Sequence, residues 1–125
     1  MPIDATLPYD DQNIFAKILR GEIPSKRVFE DDYALAFHDI NPQAPTHILV
    51  IPKGPYVSWD DFSAKGSDAE IAGFVRAVGE VARAAGLLAP GYRLLANIGL
   101  DSQQEVPHLH VHIFAGRKLG PMLAR

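Results

Sequence analysis

The stretch His108-Leu109-His110-Val111-His112-Ile113-Phe114 alternates histidine with apolar residues. Successive side chains of a β-strand point to opposite faces. A strand here puts the three imidazoles on one face and Leu109, Val111 and Ile113 on the other. The apolar face is then available for burial while the histidine face lines a site. Of the protein's five histidines, four lie in this stretch or at His47.

Working outward, Val106 to Ala115 reads as the histidine strand, with Pro107 at its start, where a missing N–H is tolerated. Gly99 to Glu105 is a polar loop, and Gly91 to Ile98 a further strand. Before it lies the clearest helix. Ser67 and Glu70 have the spacing of a capping box, and Gly86 is placed to end the helix. Between them Ile71, Phe74, Val75, Val78, Val81, Ala82 and Ala85 form an apolar stripe. Lys53 to Gly66 is irregular, with a helical turn near Trp59 to Phe62. Thr46 to Pro52 is apolar and β-branched, which suits a central strand with His47, Leu49 and Ile51 on one face. Lys26 to Glu30 and Tyr33 to His38 form a hairpin about Asp31-Asp32. Asn13 to Arg20 is a short helix, with Asp10 or Asp11 as its cap. Residues 1–12 read as a loosely held N-terminal arm, and residues 13–125 as one domain with a C-terminal tail. The order predicts an α+β fold with a mainly antiparallel sheet, one long helix and one short helix.

The 125 residues suffice for a core without disulfides, since a chain of this size buries roughly two-thirds of its unfolded surface. There is no cysteine, which excludes a disulfide framework and any thiolate metal site. The formal charge of −3 argues against a general nucleic-acid binder. No apolar run is long enough to span a bilayer, and the N-terminus has no secretory pattern. A cytoplasmic protein that does not engage membranes is expected.

Three readings of the histidine strand compete. Chance exposure is disfavoured by the strict period of two. A metal site is the second reading, because histidine is the commonest metal ligand. At about 3.3 Å per residue, the outer two α-carbons are about 13 Å apart, whereas Zn–N bonds are about 2.0–2.1 Å. Two histidines with His47 or Asp39 would be geometrically easier. The third reading is phosphoryl chemistry. A row of imidazoles matches an extended phosphate. The middle one attacks phosphorus as a neutral nucleophile, and its neighbours donate hydrogen bonds as charge moves. Histidine is suited because its ordinary pKa lies near neutrality.

The His-x-His-x-His pattern with apolar x resembles the histidine-triad (HIT) superfamily. Asn13 to Ile18, Glu22-Ile23-Pro24, Phe29 to Asp32, Ala36 to Ile40, Pro42 to His47 and Leu49 to Lys53 resemble its Hint branch, the histidine-triad nucleotide-binding proteins. The likeness runs from about Asn13 to Pro121. It implies a HIT-like fold, a homodimer, and hydrolysis of purine nucleoside 5′-phosphoramidates without a metal or other cofactor. By the same carry-over His110 is the nucleophile that forms a nucleotidyl-histidine, His112 contacts the phosphate near the leaving group, and His108 and His47 support the site. Asp39 corresponds to a ribose ligand. Phe15, Ile18, His38 and Ile40 correspond to the base pocket. Asn97, with Gln104 and Glu105, falls near the phosphate. Two departures stand out. Gln103-Gln104-Glu105-Val106 replaces a Gly-Gln-Ser/Thr-Val pattern whose hydroxyl touches phosphate, and the tail lacks the tryptophan that many animal members carry. A dinucleoside polyphosphate hydrolase and a nucleotide-binding regulatory protein with incidental hydrolysis are the competing functions.

Overall fold

The computed structural model describes residues 1–124. Five strands form one sheet in the order β1-β2-β3-β5-β4, and every neighbouring pair is antiparallel. They are β1 (Arg27–Glu30), β2 (Ala34–His38), β3 (Thr46–Pro52), β4 (Arg93–Leu95) and β5 (Val111–Ala115). The helices are α1 (Ile14–Leu19), α2 (Trp59–Lys65) and α3 (Asp68–Ala84).

The sheet is covered on both faces because β2 and β3 are apolar at both parities. Ala34, Ala36, Ile48, Val50, Val111 and Ile113 face α3 and pack on Phe74, Ala77, Val78 and Val81. Leu35, Phe37, Leu49 and Ile51 face the other way and pack on Phe15 and Ile18 of α1. β3 is central, as its composition predicts, and its bounds are those read from the sequence. In its register with β5, Leu49 opposes His112 and His47 opposes Phe114. The parity of both strands therefore sets His47, His110 and His112 on the α1 side of the sheet.

Several expectations are corrected. The histidine strand begins at Val111, five residues later than expected. Val50 opposes Val111, so continuing the ladder would bring the chain to Pro52, which has no N–H to donate. The chain bends over residues 106–108 instead. The Leu109 N–H then finds the Tyr56 carbonyl at 2.8 Å. β4 is reduced to Arg93–Leu95. Trp59–Lys65 is a full helix, α2, so the chain has two short helices where one was expected. Ser58 and Asp61 close a capping box around its first turn. Asn13, rather than Asp10 or Asp11, caps α1 by accepting from the Ala16 N–H at 2.9 Å. The α3 stripe holds except at Val75 and Ala85, which are exposed.

The arm is not loose. The Ile3 N–H donates to the Gln104 carbonyl at 2.7 Å, and the Tyr9 hydroxyl meets His108 Nδ1 at 2.6 Å. Among the described residues no helix is long and apolar enough to cross a membrane.

Candidate active site

A cleft of about 430 Å³ opens on the α1 side. His110 and His112 line it with Phe15 and Leu49, and two loops form its rims. The β2–β3 loop contributes Asp39, Asn41 and Gln43. The β4–β5 loop contributes Asn97, Asp101, Ser102, Gln103 and Glu105. A shallower hollow of about 760 Å³ adjoins it, lined by His38, Asp39, Ile40 and Pro24 to Lys26. Asp39 borders both.

Hydrogen-bond partners dictate the tautomer of each imidazole, because a carbonyl only accepts and a backbone N–H only donates. His110 Nδ1 lies 2.7 Å from the His108 carbonyl oxygen, so Nδ1 carries the hydrogen. In the neutral ring Nε2 then holds the lone pair, and no group of the described residues bonds to it. His47 Nδ1 accepts from the Gln43 N–H at 3.1 Å, so its hydrogen is on Nε2. That Nε2–H donates to His112 Nδ1 at 2.9 Å. His112 must therefore carry its hydrogen on Nε2. The site thus combines a lone pair on His110 with an N–H donor on His112, two rings whose centroids are 5.1 Å apart.

All four imidazoles favour the neutral form. His112 is pushed down to about 4, first by burial and then by His110 and His47, with Asp39 opposing. Burial also lowers His110, against the opposing pull of the His108 carbonyl and Asp39. It lowers His47 in the same way, with Asp39 opposing. A neutral His110 is the form that can attack. The edge of Phe15 stands against it, with centroids 4.9 Å apart and planes at 85°.

His108 has a different place. It is 1% exposed and does not line the cleft. Its Nε2 meets the Pro52 carbonyl at 2.8 Å, so Nε2 donates and Nδ1 accepts from the Tyr9 hydroxyl. Burial pushes its pKa down to about 4. Its backbone carbonyl, not its ring, addresses His110.

Two of the expected site residues stand outside the cleft lining. Gln104 is 1% exposed and turned inward. Its Oε1 accepts from the Gly99 N–H at 3.0 Å, and its Nε2 donates to the Val57 and Val106 carbonyls at 2.7 and 3.0 Å. The side chain ties the rim loop to the body and has no free group for a ligand. Ile18, one helical turn after Phe15, points into the core and lines neither hollow. Phe15, Asp39, Asn97 and Glu105 do line the cleft, while His38 and the 87% exposed Ile40 line the adjoining hollow.

Sequence reasoning missed Tyr9, Asn41, Gln43, Asp101, Ser102 and Gln103. For Gln103 a signal existed. It stands where the resembling pattern has glycine, and its φ is +63°, the left-handed region that favours glycine. The loop turns there through the Gln103 N–H to the Leu100 carbonyl.

Asp39, His47 and His112 offer ligand atoms within 4.8 Å of one another, a set that could hold a metal ion. His47 Nε2 and His112 Nδ1 already bond to each other at 2.9 Å. Asp39 Oδ2 is 3.5 Å from His47 Nε2, and its Oδ1 accepts from the Asn41 N–H at 2.8 Å.

The fold is the α+β arrangement, with one antiparallel sheet, that the His-x-His-x-His resemblance implies. Residues 20–119 match the HIT domain, and the chain belongs to the HIT domain family. It is 70% identical over 117 residues to an uncharacterized HIT-like protein of Azospirillum brasilense, covering 94% of this chain and 96% of that one. It is 45% identical over 114 residues to the purine nucleoside phosphoramidase of Escherichia coli (strain K12), covering 91% and 95%. Among solved structures, a histidine triad protein from Clostridium difficile matches with a TM-score of 0.77 and 45% identity, covering 88% of this chain and 95% of that one.

Proposed function

We propose that this HIT-family chain hydrolyses purine nucleoside 5′-phosphoramidates, in the manner of an adenosine 5′-monophosphoramidase, through a nucleotidyl-His110 intermediate. The observation that carries the reading is the tautomer pattern of the cleft. Among the described residues His110 Nε2 is unpartnered, and His112, its ring centroid 5.1 Å from that of His110, carries its N–H on Nε2.

In the first step the His110 Nε2 lone pair attacks phosphorus. The P–N bond breaks, its electron pair goes to nitrogen, and the departing amine takes one proton from water. The His110 ring becomes cationic, and the His108 carbonyl 2.7 Å from Nδ1 stabilises that charge. His112 Nε2–H donates to a phosphoryl oxygen as charge accumulates. In the second step the hydroxide left by that proton transfer attacks phosphorus, and the P–Nε2 bond breaks with its electron pair returning to Nε2. The products are a nucleoside monophosphate and a regenerated neutral His110.

His47 acts through His112, by fixing its tautomer. Asp39, at the border of the two hollows, accepts from the ribose hydroxyls, and the base lies over His38 and Ile40. Phe15 walls the cleft, and Asn97 reaches the phosphate side. Glu105 cannot donate when ionised, so it does not replace the hydroxyl of the resembling pattern. Among the described residues no Lys or Arg lines the cleft. That favours a singly charged phosphoramidate over a dinucleoside polyphosphate carrying several charges. A regulatory nucleotide-binding role with incidental hydrolysis is the weaker alternative, because all four imidazoles are present and neutral.

The chain acts as a homodimer in this reading. β4 is a sheet edge, and an apolar hollow of about 400 Å³ lies beside it, with Trp59, Val75, Val78, Tyr92 and Leu94 in its wall. Val75 and Leu94 are each about half exposed, so a second copy would remove apolar surface from water. Light scattering checks this: a Val75→Glu, Leu94→Glu variant should run at half the wild-type mass.

Activity is tested by turnover of a fluorogenic adenosine phosphoramidate, with chelator present, for wild type and His110→Ala. Turnover by the wild type alone is expected. Equal turnover by both would refute His110 as nucleophile, and turnover that disappears with chelator would refute the metal-free route.

A further inference from the structure

The charge of the cleft is one-sided. Three acidic side chains line it, Asp39, Asp101 and Glu105, and among the described residues no Lys or Arg does. Asp39 is occupied by the Asn41 N–H and the His47 ring. Neither Asp101 nor Glu105 has an ion-pair partner among the described residues. Both stand on the β4–β5 loop, exposed, and Glu105 occupies the position at which the resembling pattern has a hydroxyl residue. Such a rim would merely weaken phosphate binding unless something in the ligand complements it.

A second observation points to that ligand. His110 is only 7% exposed, yet its Nε2 is unpartnered and the ring lines the cleft. An in-line displacement puts the departing nitrogen opposite the attacking Nε2, within the cleft that the two rims enclose. Asp39 borders the adjoining hollow, so the nucleoside lies toward the β2–β3 side. The substituent on the departing nitrogen then faces the other rim, which is Asp101 and Glu105.

We propose that Asp101 and Glu105 determine leaving-group specificity, favouring phosphoramidates whose amine portion carries a second, cationic group. The inference rests on the phosphoramidase reading above and adds the class of amine to it. A cationic chain end near two exposed carboxylates gains Coulomb attraction that a neutral chain lacks. Exposed pairs of this kind are individually weak. Two together correspond to a preference of about three- to tenfold in kcat/KM.

The test compares two adenosine 5′-phosphoramidates of equal chain length, one made from a linear alkyl monoamine and one from the corresponding diamine. The wild type should turn over both and favour the diamine conjugate about three- to tenfold at low salt. The preference should fall toward unity in Asp101→Asn, Glu105→Gln. It should also fall for the wild type in about 1 M salt, where the Debye length is about 3 Å. Turnover of neither conjugate would overturn the phosphoramidase reading and this inference with it. Equal turnover of both by the wild type, or a preference that survives both the double variant and high salt, would overturn the inference alone.

Discussion

Replacing Tyr9 by Phe removes one hydroxyl and keeps the ring. In the native fold that hydroxyl donates to His108 Nδ1 at 2.6 Å, from a residue 99 positions away in sequence. His108 is 1% exposed, and its Nε2–H is committed to the Pro52 carbonyl. The ring therefore cannot change tautomer to satisfy Nδ1 without abandoning that carbonyl. The variant leaves a buried acceptor unpaired, at a cost of about 1–3 kcal/mol. Because Tyr9 is only partly buried, water enters more easily than at a core site, which places the loss near 1.5 kcal/mol. For a domain of this size that is a fall in Tm of about 5–8 °C. Thermal denaturation followed by circular dichroism measures it, with Tyr9→Phe, His108→Leu and the double variant forming a cycle. The double variant should be less destabilised than the sum of the singles, since the unpaired Nδ1 is gone. A Tyr9→Phe Tm within about 1 °C of wild type would refute the account of His108 as a hydrogen-bonded core histidine that the arm completes.

Stability should also fall with acid between pH 6.5 and 4. His108 titrates near 6.5 when unfolded and at about 4 when folded. The unfolded chain therefore takes up the proton first as pH falls, which favours unfolding. The linkage gives a loss of about 2 kcal/mol at pH 5 relative to pH 8 from this residue alone. His47, His110 and His112 act in the same direction, since burial lowers each of them. Urea denaturation at the two pH values checks this, and a protein more stable at pH 5 would contradict it. Gln103→Gly relieves a left-handed residue and should stabilise the fold by about 0.5–1 kcal/mol, read as a higher urea midpoint. Gln104→Ala strands the Gly99 N–H and the Val57 and Val106 carbonyls, and should cost about 3 kcal/mol by the same assay. It should also raise KM, because the loop it anchors forms one rim of the cleft.

Local pattern made much of this architecture legible. The apolar, β-branched run of Thr46–Pro52 and the alternation of His110 to Phe114 decided which residues share a face, and the observed register preserves that parity. Ser67 and Glu70 marked the start of α3, where the side chains do close a capping box. The same signal, Ser58-Trp59-Asp60-Asp61, was present before α2, but a seven-residue helix offers too little periodicity to reveal its length. The late start of β5 depends on Pro52, a residue from another strand, so no local pattern encodes it. Tyr9 and His108 are linked only through the folded chain. Gln104 is similar. The resemblance set it near the phosphate, and only the fold brings the Val57 carbonyl to its amide. Val75 extended the α3 stripe by composition but lies beside an apolar hollow instead of in the core.

The central claim is covalent catalysis at His110. It is tested most directly by quenching the wild-type protein during turnover of an adenosine phosphoramidate and locating any nucleotidyl adduct by peptide mass spectrometry under conditions that preserve P–N bonds. The account expects an adduct on His110 that forms and decays at rates consistent with turnover, and none in His110→Ala. An adduct confined to His112, His108 or His47, or undiminished turnover by His110→Ala, would contradict it.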